Sequence, residues 1–259
     1  MKKFVSVLLA ISLMLGALTL LTGCAERIKY SDEDSYSTGP LNTPDKNITA
    51  VEIYWTSGAV EINGVLVSQL GVSGVTVWED YTATNDNTVR TRVVNGVLQI
   101  YPAASGTRVE DIPKKTLKVE LPLDVAYALE SVSVTVLGDA KVSLNKVNPK
   151  SLNVSTKTGD VTIDGTPASA SITTVSGNLV MTSINTPEYL RFASETGNAT
   201  LSLPLYGFAA VMEEGMGQFV TDYEVTENGN IYSSGAQQAT SLAFRTAGIV
   251  TVKRAGGAK

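Results

Sequence analysis

From Val132 to Val252 the apolar residues fall on every second position, in short runs separated by glycine and polar residues. Val132, Val134 and Val136 alternate with Ser131, Ser133 and Thr135, and the same period returns in Leu152 and Val154, Ala170 and Ile172, Leu190 and Phe192, and Leu242 and Phe244. A period of two sends side chains alternately to the two faces of an extended chain, so each run predicts a strand with one buried face. β-Branched residues are dense throughout, which favours strand over helix.

Each run leads into a glycine followed by Asp or Asn and then a second alternating run. The units are Gly138-Asp139-Ala140, Gly159-Asp160-Val161, Gly177-Asn178-Leu179 and Gly197-Asn198-Ala199, with degenerate copies at Gly217-Gln218-Phe219 and Gly248-Ile249-Val250. The glycines step by 21, 18, 20 and 20 residues, then by 31 across an insertion around Glu224 to Gly235. One repeat therefore reads as strand, sharp turn, strand and a looser corner carrying Pro149, Pro167 or Pro187. Glycine and Asx suit such a turn because they tolerate left-handed backbone. Twenty residues at about 3.3 Å each form a loop too short for a propeller blade and suited to one coil of a solenoid, with neighbouring coils about 4.8 Å apart. The fold class expected is all-β, a β-solenoid over one domain, residues 48–259, with an irregular β-rich N-terminal part.

That N-terminal part carries the runs Val51, Ile53, Trp55; Gly58 to Ile62; and Gly74 to Trp78. Thr91–Val94 and Val97–Ile100 flank Asn95-Gly96 and predict a hairpin, since both turn positions need positive φ. Trp55 and Trp78 continue alternations that point them inward, Trp55 more clearly; Tyr54, Tyr81 and Tyr101 gather nearby as alternative sugar or interface contacts.

The first residues follow a different pattern. Lys2 and Lys3 precede an uncharged, mostly apolar run from Phe4 to Thr22 that ends in Leu21-Thr22-Gly23-Cys24. A basic start, an apolar stretch and small residues form an export signal. Leu-Thr-Gly-Cys resembles a lipobox, so residues 1–23 are expected to be a lipoprotein signal peptide and Cys24 the lipid-attachment residue. The protein is then expected to be exported and anchored to the cell membrane facing outward, or to sit in the periplasm or on an outer membrane if two membranes are present. Cys24 is the only cysteine, so no disulfide framework is available. Residues 24–47 carry Ser31-Asp32-Glu33-Asp34-Ser35 with Gly39, Pro40 and Pro44, a composition expected to leave a solvated, disordered spacer.

The chain has 20 basic and 25 acidic side chains, and loss of Lys2 and Lys3 with the leader widens the excess of acid from five to seven. That balance argues against a nucleic-acid or anionic-lipid surface, both of which need basic patches. The absence of histidine removes Ser-His-Asp and Cys-His sites and the usual zinc ligands. Asp139 and Asp160 fall at the same turn of adjacent coils, where calcium binding or carboxylate chemistry is conceivable. Asn178 and Asn198 follow them in register, however, as backbone-capping Asx residues do unaided. Glu79-Asp80 and Glu213-Glu214 read as solvated surface charges. No catalytic, cofactor-binding or metal residues and no cofactor are expected.

The lipobox, the β-rich lead, the Leu-Pro elements at Leu121-Pro122 and Leu203-Pro204, and the repeated [Ser/Thr]-Gly-[Asp/Asn] turns together resemble the putative-adhesin family of bacterial envelope proteins. The resemblance runs from Ile48 to Val252 and is clearest from Leu117 to Leu203, departing at Leu137 and across Met212–Gly235. It implies a single-stranded right-handed β-helix (β-solenoid) and a non-enzymatic module at the cell envelope that contacts an envelope or extracellular protein or glycan. Two other readings stay open: an envelope-stress sensor that binds cationic peptides or a membrane partner, and a carbohydrate-active β-helix enzyme.

Overall fold

The computed structural model describes residues 26–44, 47–67, 74–82, 85–204, 206–213, 217–235 and 239–255. The expected signal peptide, residues 1–23, and Cys24 lie outside these residues.

The chain forms the short strands β1 (Ser37–Thr38) and β2 (Leu41–Thr43), then β3 (Ala50–Trp55), β4 (Gly58–Val65), β5 (Val75–Glu79), β6 (Arg90–Val94), β7 (Val97–Tyr101) and β8 (Lys115–Pro122). A single helical turn, α1 (Leu123–Ala126), follows. The repeats supply β9 (Ser131–Val136), β10 (Lys141–Asn145), β11 (Ser151–Ser155), β12 (Val161–Asp164), β13 (Ser169–Thr173), β14 (Leu179–Thr182), β15 (Tyr189–Ala193) and β16 (Ala199–Leu203). The last part contains β17 (Phe208–Met212), β18 (Gln218–Thr221), β19 (Thr226–Asn228), β20 (Ile231–Ser234), β21 (Thr240–Arg245) and β22 (Ile249–Arg254).

Two long sheets face each other. The first has the order β1-β6-β7-β3-β9-β11-β13-β15-β21-β17-β20-β19 and the second β18-β22-β16-β14-β12-β10-β4-β8-β5-β2. Each coil gives one strand to each sheet, and pairing between coils is parallel and in register: Val134 lies beside Val154, Val154 beside Ile172, Ile172 beside Phe192 and Phe192 beside Phe244. The inward rows make one core that runs from Ile48 to Val252. The alternation read from the sequence is the burial pattern seen in β9, where Val132, Val134 and Val136 are buried and the residues between them are partly exposed.

The coils do not stack in chain order. The coil β7/β8 lies outside β3/β4, and β3/β4 pairs directly with β9/β10. At the other end β21/β22 slots between β15/β16 and β17/β18. The 31-residue step thus reflects a chain that goes out to the last coil, turns through the β19–β20 hairpin and returns to fill the seventh position. Antiparallel strands close three of the four sheet ends: β6 with β1, β5 with β2, and β20 with β19. Such closure covers parallel edges that otherwise invite pairing with other chains.

Two local expectations need correction. Between Glu26 and Thr43 the spacer is docked at a few residues rather than disordered, while its acidic run Ser31–Ser35 is exposed. Ile28 and Tyr36 are buried in a second cluster with Tyr101, Ala103 and Ile112 on the outside of the first sheet, because the few apolar residues there are aromatic or branched and dock on an existing surface. Trp78 points outward, 36% exposed with Lys118 Nζ 4.6 Å from its ring centre, because Val75 and Val77 take the buried phase of β5. Trp55 is fully buried, and Asn95 and Gly96 have φ values of 50° and 78° in the β6–β7 hairpin.

Candidate functional site

The repeated turns form a ladder. Asp160 Oδ1 accepts the Asn178 backbone N–H at 2.8 Å, Asn178 Oδ1 that of Asn198 at 2.9 Å, and Asn198 Oδ1 that of Ile249 at 2.7 Å. The Asx side chains therefore spend their acceptors on the next coil. Asp139 instead forms an ion pair with Lys114 at 2.7 Å, and that ammonium, followed by a hydrogen bond from Ser57, holds its carboxyl below the usual carboxylate range. Among the described residues no group of three or more acidic, cysteine or histidine side chains converges as a metal site.

The turn glycines serve a purpose other than the one expected. Gly138, Gly159, Gly177, Gly197, Gly217 and Gly248 all have negative or extended φ rather than positive φ. A methyl group on Gly159 would instead run into the Ala140 carbonyl oxygen, on Gly177 into that of Gly159, and on Gly197 into that of Gly177. Glycine is required there because backbone of one coil touches backbone of the next.

A second row inside the turn was missed by sequence reasoning. Thr156, Thr174, Ser194 and Thr246 are buried. Thr174 and Ser194 hydroxyls each accept the N–H of the glycine three residues on, at 2.8 Å, and Thr156 donates to Gly159 O at 3.0 Å. The signal was a Ser or Thr three residues before the glycine, or two in the case of Thr246 and Gly248, hidden beside the exposed Thr158, Ser176 and Thr196.

Glu79 is no solvated charge. Its carboxylate lies 2.6 Å from Lys115 Nζ, and both side chains are almost fully buried. Lys115 also donates to the carbonyls of Pro102, at 2.6 Å, and Asn87, and sits over the rings of Trp55 and Tyr81 at 5.1 and 5.2 Å. Burial pushes the Lys115 ammonium below the usual lysine value, against the pull of Glu79. Asp80 accepts the Thr116 N–H at 2.6 Å. Glu213 is exposed and pairs with Arg245 at 3.2 Å, while Glu214 lies outside the described residues.

The outer face of the first sheet is the most regular polar surface. Register aligns Ser131, Ser151 and Ser169 in one row, Ser133, Asn153 and Ser171 in the next, and Thr135, Ser155 and Thr173 in a third. At one end the rows meet Tyr54, which stacks on Tyr101 with ring centres 4.8 Å apart. At the other end they meet Tyr189 and Arg191. Tyr30, Tyr36 and Tyr101 continue the aromatic group, with Tyr30 4.3 Å from Tyr101 and Arg92 over the Tyr36 ring at 4.4 Å.

Fold and surface together define an all-β protein of two long, parallel-rich sheets built from stacked strand-turn-strand coils, solenoid-like in construction. The chain belongs to the family described as Toastrack DUF4097, whose model matches residues 35–252. Among solved structures it is similar to a "putative cell adhesion protein" from Clostridium sporogenes ATCC 15579, at 15% identity and a TM-score of 0.48, covering 85% of this chain and 99% of that one. It is also similar to a "putative adhesin" from Bacteroides fragilis NCTC 9343, at 13% identity and a TM-score of 0.43, covering 82% and 95%. No curated protein matches.

Proposed function

We propose that the chain is an exported, lipid-anchored, non-enzymatic envelope protein that binds an extended envelope or extracellular ligand, glycan or protein, as an adhesin does. The carrying observation is the lattice of small polar side chains on β9, β11 and β13. Its rows repeat at the strand spacing of about 4.8 Å, so a polymer with a regular repeat meets the same group several times and gains avidity without a deep pocket. Tyr54 and Tyr189 border the lattice as amphipathic anchors. The lipobox at Leu21–Cys24 supports the anchoring. The coils are read as winding right-handed, in line with the general preference for right-handed crossovers between parallel strands.

The test is a soluble chain starting at Glu26, arrayed against peptidoglycan, teichoic acids, matrix proteins, glycans and cationic peptides. Saturable binding to a glycan or protein is expected, weakened at least tenfold by Ser133→Arg with Ser171→Arg but unchanged by Thr162→Arg with Thr200→Arg on the opposite sheet. Binding indifferent to both pairs, or release of new reducing ends from a glycan, overturns the reading. On cells, Cys24→Ser is expected to release the folded protein and abolish attachment.

A further inference from the structure

The folded body takes hold of the chain at Glu26, and it does so on the side of the stack. The Val109 N–H donates to Glu26 O at 2.8 Å, and the Glu26 carboxylate lies 3.4 Å from Lys157 Nζ. Arg27 bridges antiparallel to Arg108 and donates to Gly106 O at 2.5 Å. Ile28 donates to Thr107 O at 2.9 Å and accepts the Gly106 N–H at 2.8 Å, with its side chain buried. Gly106 to Val109 lie in the connection from β7 to β8, in the first of the eight coils, and Lys157, reached only by the Glu26 side chain, belongs to the turn that joins β11 to β12 in the fourth.

We propose that a lipid bilayer surface is the partner of this edge: the protein lies lengthwise along the headgroups, with the turns at Lys157-Thr158, Val175-Ser176 and Glu195-Thr196 toward them. The proposal rests on the lipid reading of Cys24. Only Ala25 separates Cys24 from Glu26, and two residues reach about 7 Å at most. Eight coils at about 4.8 Å make a stack roughly 34 Å long. If the stack stood on its near end, the two strands beyond each strand of that first coil, β6 and β1 in one sheet and β5 and β2 in the other, would hold the connection that binds Glu26 about 10 Å above the bilayer, beyond the reach of the tether. The acyl chains must be buried in hydrocarbon, so the turn edge on which Glu26 sits comes down to the membrane.

Charge does not drive the contact. Arg27, Lys157 and Arg108 are accompanied by Glu26, Glu110 and Glu195, so the edge has no net pull on anionic headgroups, and the seating is insensitive to salt and to lipid charge. Sheet faces then stand beside the membrane, which leaves the Ser/Thr lattice open to ligand.

The experiment uses the full-length lipidated protein in phosphatidylcholine vesicles. Its own cysteine is acylated, so single introduced cysteines label uniquely: Thr158→Cys and Thr196→Cys on the turn edge, and Ile184→Cys on the opposite corner. Energy transfer to a headgroup dye is expected to be several-fold stronger from Thr158→Cys and Thr196→Cys than from Ile184→Cys, and unchanged at high salt. A ten-residue Gly/Ser insertion between Ala25 and Glu26 is expected to erase the difference. Equal transfer from all three sites without the insertion overturns the proposal while leaving lipidation intact. Absence of acyl mass together with loss of vesicle association overturns the lipid reading, and the proposal with it.

Discussion

Lys115 Nζ lies 2.6 Å from Glu79 Oε2 in a site closed to solvent, and the pair fastens β5 and β8 to the loop before β6, because Glu79 Oε1 also accepts the Val89 N–H at 2.7 Å. Buried pairs of this kind rarely add stability over an apolar substitute, but half of one is costly. Glu79→Ala is therefore expected to destabilise by about 3–5 kcal/mol in urea unfolding. Glu79→Leu combined with Lys115→Met is expected to recover most of that loss. A single substitution with no measurable cost would show that the N-terminal coils do not depend on the pair.

The turn glycines offer a sharper contrast. Gly159→Ala forces a methyl group against the Ala140 carbonyl, and crowding in a packed site costs about 1–3 kcal/mol. The adjacent Thr158→Ala, at an exposed position, is expected to stay within about 0.5 kcal/mol of the parent. Thermal unfolding of the two variants in parallel checks this.

The Asx ladder predicts a different ranking. Asn178→Ala removes the acceptor for the Asn198 N–H and is expected to cost about 1 kcal/mol. Asp160→Asn keeps an acceptor oxygen toward Asn178 and is expected to be nearly neutral. Millimolar calcium is expected to leave the melting temperature of both unchanged; a calcium-dependent rise lost in Asp160→Asn would make the ladder a cation site.

The tyrosine cluster sets an alkaline limit. Burial, with the Glu33 charge second, pushes the Tyr30 hydroxyl from 10.0 up to about 12, and burial raises Tyr36 and Tyr101 as well. The folded state thus holds these protons after the unfolded state has lost them. Their contribution is fully present below pH 10 and is lost as the pH rises toward 12. Between those values the segment from Glu26 to Thr38 is expected to become protease-sensitive, in step with tyrosinate absorbance, and Tyr30→Phe is expected to move the onset upward.

The sequence by itself determined the strands, their buried faces and the repeat, because side-chain alternation is local and a slip of one residue would turn every apolar residue outward. It also determined the Asn95-Gly96 hairpin, whose two positive φ values are a property of the turn residues themselves. Tertiary structure alone decided which coil lies on which. Every coil presents a similar apolar row and the same open strand edges, so nothing local tells β21/β22 to settle between β15/β16 and β17/β18 rather than after them. The reason for the turn glycines, the burial of Glu79 against Lys115 and the docking of Ile28, Tyr30 and Tyr36 have the same origin. Each depends on groups brought together from distant parts of the chain, whose burial and close approach exist only once the stack has formed.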